Sequence, residues 1–338
     1  MSLEEIEMNF NQINETIDIL QKSLEITYLD AFIETSNNLL DNKSAHVESG
    51  LPNDQDVKLL NQIYKKMNLE SLSSEDVRKV IQLVLLKATR QEKIQPNHQM
   101  TPDTIGFLVA FVLEKLMGEK KTFSLLDITV GSGNLLTTIL NQMSTDKFEI
   151  SKAYGVDNDD IMLSIAGLSG QLQRLNLDLF HQDAIDDLVV KKSDVVIADL
   201  PIGYYPLDER VSHFKTRANE GHSYVHHLLI EQSVNYLNDG GFGVYLVPTG
   251  LFETEEAKKL LVYIQENAYL QGMLNLPANL FSSAGSRKSI LIIQKHGNNS
   301  KQVDEVLLGD FPSLKDEEQF QNFVKTLDKW IQINFNNR

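Results

Sequence analysis

A glycine-rich turn and three later carboxylates are spaced to hold a nucleoside-bearing cofactor. The segment Asp127-Ile128-Thr129-Val130-Gly131-Ser132-Gly133-Asn134 begins inside the apolar run 125–128. Its two glycines permit a tight turn with no Cβ in the way of a ligand. A helix starting at Asn134 would turn its unpaired amide groups toward that ligand. The dinucleotide fingerprint asks for a third glycine at position 136, where Leu136 stands. NAD is therefore disfavoured, and a cofactor without a pyrophosphate is favoured. Gly155-Val156-Asp157 ends the next apolar run, where an acidic residue hydrogen-bonds ribose hydroxyls. The alternative is that Asp157, with Asp159, caps the helical stretch that follows. Asp183, in Gln182-Asp183-Ala184, can accept an adenine amino group or serve as a turn carboxylate. Asp199-Leu200-Pro201-Ile202-Gly203-Tyr204-Tyr205-Pro206 then places a polar residue and two prolines after the apolar run 195–199, a rigid loop at a pocket mouth.

Other constellations carry less. His222 and His226 have i,i+4 spacing and could share a metal if helical, but no third ligand pattern accompanies them. Ser164, Ser169 and Ser223 lack the G-x-S-x-G elbow of hydrolases. The chain has no cysteine, which removes thiolate metal sites and cysteine nucleophiles. Arg287-Lys288 could meet a phosphate and reads more simply as a solvated turn.

The elements that must carry these residues fall into two textures. Residues 1–95 read as a helical domain. Ile6, Phe10, Ile13, Ile17, Leu20 and Leu24 form one apolar stripe. Residues 41–54 are a polar loop, 56–67 a second helix, and Ser73-Ser74-Glu75-Asp76 a start signal for a helix over 77–89. Gln95-Pro96-Asn97-His98 breaks the pattern. Residues 96–338 alternate short apolar runs with helix-length segments. Strands are expected at 125–128, 152–157, 195–199, 243–247, 273–276 and 289–294, with helices at 226–237 and 255–267. Such alternation predicts an α/β, doubly wound parallel sheet, whose ligands bind at the carboxyl ends of its strands.

The chain has 338 residues, 42% of them hydrophobic and 23% charged, enough to bury a large core without disulfides. The acidic first ten residues lack the apolar centre of a signal peptide, and no apolar run approaches the ~20 residues of a membrane helix. A cytoplasmic location is expected. The net charge of −16 ill suits a protein that would grip DNA phosphates alone.

Taken in order, these motifs resemble the adenine-specific (N6) DNA methyltransferases, above all the modification subunits of type I restriction-modification systems. Gln99-Met100-Thr101-Pro102-Asp103 resembles the family's Thr-Pro motif before the first strand. Asp127 to Gly133 resembles its D-P-x-x-G-S-G loop, with Ile128 for the proline, and Gly155-Val156-Asp157 its second strand end. Asp199-Leu200-Pro201-Ile202-Gly203 aligns with its N-P-P-Y/F-G catalytic loop. Leu237 through Gly241 to Pro248, and Leu274 through Pro277 to Phe281, resemble two later motifs. The likeness covers about residues 96–296. It implies a Rossmann-like class I methyltransferase domain behind a helical N-terminal domain, and S-adenosylmethionine as cofactor. It implies cofactor contacts from Met100, Thr101, Pro102, Asp127, Thr129, Gly131, Ser132, Gly133, Asn134, Leu135, Asp157, Asn158, Asp183, Ala184 and Asp199. The catalytic loop would be Asp199, Leu200, Pro201 and Ile202, acting without a metal. DNA would be the partner, read through a separate specificity subunit because no long recognition insert follows the catalytic loop. A homo-oligomer is compatible with this.

The loop departs from the family's pattern in ways that bear on chemistry. Asp199 keeps an acceptor, and Leu200 keeps a carbonyl but not the ring that fixes φ. Ile202 has no aromatic face, and losing a base–aromatic stack costs roughly 1–3 kcal/mol. Tyr204 or Tyr205 could supply the ring from a shifted position. Two other readings follow from this loop. One is a cofactor-binding interaction module without catalysis, and the other is an enzyme acting on RNA, protein or a small molecule.

Overall fold

The computed structural model describes residues 3–92, 100–118, 120–144, 147–281 and 283–335. The expected break at Gln95-Pro96-Asn97-His98, together with Gln99, lies outside the described residues.

The alternating apolar runs build an eight-stranded sheet ordered β3-β2-β1-β4-β5-β7-β6-β8. Its strands are β1 (Thr122–Asp127), β2 (Glu149–Asp157), β3 (Asp178–His181), β4 (Ser193–Asp199), β5 (Leu237–Pro248), β6 (Ala268–Asn275), β7 (Lys288–Lys295) and β8 (Leu307–Asp310). Strands β1 to β5 pair in parallel, whereas β7 runs antiparallel between β5 and β6. Side chains on a strand point alternately to opposite faces. Leu125, Val195, Ile197, Val244, Leu246, Ile290 and Ile292 therefore fill the core of one face. Leu126, Val196, Ala198, Tyr245, Val247, Leu291 and Ile293 fill the other. A sheet apolar on both faces must be covered on both. The helices α5 (Asp103–Met117), α6 (Asn134–Met143) and α10 (Glu317–Asn334) cover the first, and α8 (Val225–Tyr236) and α9 (Ala257–Asn267) the second.

The N-terminal helices are α1 (Leu3–Leu24), α2 (Tyr28–Leu40), α3 (Asp54–Lys66) and α4 (Ser74–Gln91). Glu25, at φ +55°, ends α1, and the Thr27 side chain caps α2, so the first apolar stripe is followed by a second helix that the periodicity did not separate. Ser73 caps α4 as its sequence predicts, its hydroxyl accepting the Asp76 amide at 3.1 Å. The core of these four helices runs on into Met162, Ile165 and Leu172 of α7 (Asp160–Leu172). The helical layer is thus seated on the α/β layer next to the glycine turn.

Candidate active site

The strand order reverses between β1 and β4, and the crevice beyond their carboxyl ends is where such sheets bind ligands. A cavity of about 600 Å³ opens there. Of the residues expected at the site, Met100, Thr101, Pro102, Thr129, Gly131, Ser132, Asn134, Leu135, Asp199, Leu200, Pro201 and Ile202 line it. Leu280, Phe281, Ser283, Gly285, Ser286 and Lys288 close the opposite wall. Asp127, Gly133, Asp157, Asn158, Asp183 and Ala184 are not part of this lining. They lie below the glycine turn and along the ends of β2 and β3.

The two glycines have different reasons. Gly131 sits at φ +50° with nothing within 4 Å of where a Cβ would be, so it leaves a ligand room. Gly133, at φ +82°, would place a Cβ 3.1 Å from the Ala166 Cβ. Its positive φ and the close approach of α7 both require glycine there. It also starts α6 with no side-chain cap, which leaves first-turn amides for a partner.

Asp157 does not cap α7, because Asp159 does, accepting the Met162 amide at 2.9 Å. Asp157 instead accepts the Gly131 amide at 2.7 Å and the Asp159 amide at 3.0 Å, one on each oxygen. It fastens the glycine turn to the end of β2, and each oxygen keeps a lone pair for a ribose hydroxyl. Asp183 is more fully engaged. It accepts the Tyr205 hydroxyl at 2.8 Å, Arg210 at 3.1 Å and the Ile185 amide at 3.0 Å. This buries Tyr205 and removes it as a stacking ring.

The loop that aligns with the family's catalytic motif carries an N–H donor at Leu200, where the family has proline. The Leu200 amide donates to the Leu246 carbonyl at 3.1 Å, extending the β4–β5 ladder, a bond that proline cannot make. Asp199 accepts the Thr101 hydroxyl at 2.8 Å on one oxygen and an ion pair from Lys288 on the other. Lys288 is therefore no solvated turn residue. As the first residue of the antiparallel strand β7, it faces the carboxyl end of β4. His222 precedes α8 and bonds Asp208, whereas His226 is buried in that helix, so the two share no helical face.

Asp127 tests whether this site fits a cationic cofactor. It is fully buried, its Oδ1 accepts the Thr129 amide at 3.1 Å, and its Oδ2 has no partner. Burial pushes its carboxyl up to about 8, and the charges of Asp157 and Asp199 push the same way. Lys288 offsets only Asp199, so a cation arriving beside Asp127 and Asp157 relieves the remaining repulsion, and the residues fit S-adenosylmethionine.

A pH dependence follows. Asp127 is mostly protonated at pH 7, and a bound cation favours its ionised form, so cofactor binding should release a proton. Affinity should rise with pH to about 8 and then level. Calorimetry in two buffers of different ionisation heat should show the release, and D127N should abolish it. Equal heats in both buffers would rule the assignment out. Without cofactor, the raised folded value stabilises the fold fully below the ordinary carboxylate value of 3.8, and this contribution is lost as pH rises through about 8.

The sheet order with its antiparallel β7, the glycine turn after β1 and the acidic end of β2 define a class I S-adenosylmethionine-dependent methyltransferase. Residues 61–333 match the N-6 DNA Methylase family, and residues 7–89 match the YtxK N-terminal helical domain. The chain belongs to the N-6 DNA methylase family, and S-adenosylmethionine is its cofactor. It is 35% identical over 323 residues to the uncharacterised protein YtxK of Bacillus subtilis, covering 96% of each chain. A solved Listeria monocytogenes structure, a proposed class I S-adenosylmethionine-dependent methyltransferase, is 40% identical with a TM-score of 0.90, covering 98% of this chain and 100% of that one. The modification subunit of a proposed type I restriction enzyme from Vibrio vulnificus shares the fold at 14% identity, with a TM-score of 0.63, covering 81% of this chain and 62% of that one. No helix among the described residues is long and apolar enough to cross a membrane.

Proposed function

We propose that this methyltransferase acts on the exocyclic N6 of adenine in DNA, and that a separate specificity subunit supplies sequence recognition. One observation carries the reading: a single cavity is lined both by the glycine turn, Thr129 to Ser132, and by Asp199 to Ile202. Bound S-adenosylmethionine supplies an electrophilic methyl group on its sulfonium. Asp199 and the Leu200 carbonyl accept the N–H bonds of the target amine, drawing its lone pair out of ring conjugation, while the methyl leaves the sulfonium as a neutral thioether and the proton that the amine sheds passes to water. A side chain that can accept but not donate suits this task. The anionic surface leaves phosphate contacts to the partner.

The ring missing at Ile202 is supplied by Tyr204. It is 59% exposed, and its ring stacks on Tyr224 at 4.7 Å between centroids with a 21° interplanar angle. The pair is set by the backbone bonds Tyr205 to Ser223 and Val225 to Gly203, at 2.8 and 3.0 Å. Such a supported platform suits a flipped-out base. Y204A should raise the KM for DNA by roughly tenfold or more, since a stack contributes roughly 1–3 kcal/mol, whereas Y204F should stay near wild type. An unchanged KM in Y204A would remove Tyr204 from the base site.

One observation favours the second reading, a cofactor-binding module without transfer. Lys288 already occupies the Asp199 oxygen that a target amine would use.

A further inference from the structure

Arg78 lies on α4, outside the cavity, and is 1% exposed. All five of its N–H donors are used. Nε and Nη2 donate to the two Glu75 oxygens at 2.7 and 2.8 Å. Nη1 and Nη2 donate to the two Asp103 oxygens at 2.6 and 2.8 Å. The remaining Nη1 hydrogen meets the Asn134 Oδ1 at 3.0 Å. This last bond fixes how the Asn134 amide is turned, together with the acceptors of the amide nitrogen, the Thr101 carbonyl and, at 3.4 Å, Asp103. With its oxygen on Arg78, its nitrogen must face the Thr101 carbonyl, to which it donates at 2.6 Å. Thr101 in turn donates its hydroxyl to Asp199 at 2.8 Å. Three hydrogen bonds thus run from the helical layer to the catalytic loop, and Asn134 and Thr101, the two intermediate residues, line the cavity.

We infer that Arg78 is a positioning residue for the cofactor site. It orients the Asn134 amide and, through it, the Thr101 carbonyl and hydroxyl. The cofactor wall then takes its binding shape only while α4 is docked, which makes the helical layer part of the cofactor site. A planar, five-donor guanidinium is needed, because lysine cannot grip two carboxylates in bidentate fashion and also reach an amide oxygen. The inference rests on the reading that this cavity holds S-adenosylmethionine.

The test measures S-adenosylmethionine affinity by calorimetry, well below the melting temperature, for wild type, R78K, N134A and the double variant. R78K should weaken binding about tenfold in the wild-type background and leave it unchanged in the N134A background. A purely structural Arg78 would lower the melting temperature without that background dependence. Unchanged affinity in R78K, or the same loss in both backgrounds, overturns the inference. Absence of binding in wild type would overturn the cofactor reading itself. If R78K does not fold, the immobilised guanidinium can be followed by nitrogen-15 resonances in the wild-type protein. Its Nη signals should shift on titration with S-adenosylmethionine, and constant signals would contradict the coupling.

Discussion

Replacing Asp199 with alanine should lower methyl transfer by roughly 10²–10³-fold, the scale of removing one hydrogen-bonding group that stabilises a transition state. The carboxylate stands at the end of β4 in the cofactor cavity, held by Thr101 and Lys288. Its removal takes away the acceptor that prepares the amine, while the glycine turn and Asp157 remain. S-adenosylmethionine binding should therefore survive in D199A, and the loss should appear in kcat. Asp199→Asn, the family's own residue, should retain transfer within about tenfold, because its amide oxygen can still accept an N–H of the target amine. A D199A enzyme that transfers as well as wild type would take Asp199 out of the chemistry. A variant that no longer binds cofactor would make it a cofactor residue instead.

Replacing Arg78 with methionine should cost about 3 kcal/mol of folding stability, at the lower end of the range for breaking a buried ion pair. Glu75 and Asp103 would be left facing each other, with side chains 22% and 21% exposed and no cation between them. That partial access to water places the expected cost at the lower end. Asp103 keeps its contact with Gln82, which limits the damage further. Urea denaturation should show the loss, and E75Q in the R78M background should recover part of it by removing one of the two charges. A loss under about 1 kcal/mol would mean that water solvates the two carboxylates freely.

The centre of the sheet was legible because its inner strands are buried on both faces, so each appears as a continuous apolar run ending in a chemically distinct residue. Asp127, Asp157 and Asp199 all stand at such ends. The glycine turn was legible for the same reason, although only the fold shows that Gly133 answers to Ala166. Lys288 was hidden, since locally it reads as part of a serine- and glycine-rich loop. Its place at Asp199 depends on β7 running antiparallel, which brings the first residue of that strand to the edge where β4 ends. No local pattern encodes that direction. Arg78 left a signal that was not used. It falls three residues before Ile81 and seven before Leu85, a cation inside the apolar stripe of α4. Strand β8 and helix α10 went unassigned because β8 is a short, exposed edge strand and α10 buries only Leu327, Trp330, Ile331 and Asn334.

Methyl-labelled S-adenosylmethionine, the purified protein and a D199A control decide whether this enzyme methylates DNA. The acceptor is lysate from the host lacking the gene, divided into DNA, RNA, protein and small-molecule fractions. Label is expected in DNA, recovered after digestion as N6-methyladenine and lost with D199A. Label in another fraction would contradict adenine in DNA as the substrate. No label in any fraction, with cofactor binding intact and a specificity partner present, would contradict transfer and leave a binding module.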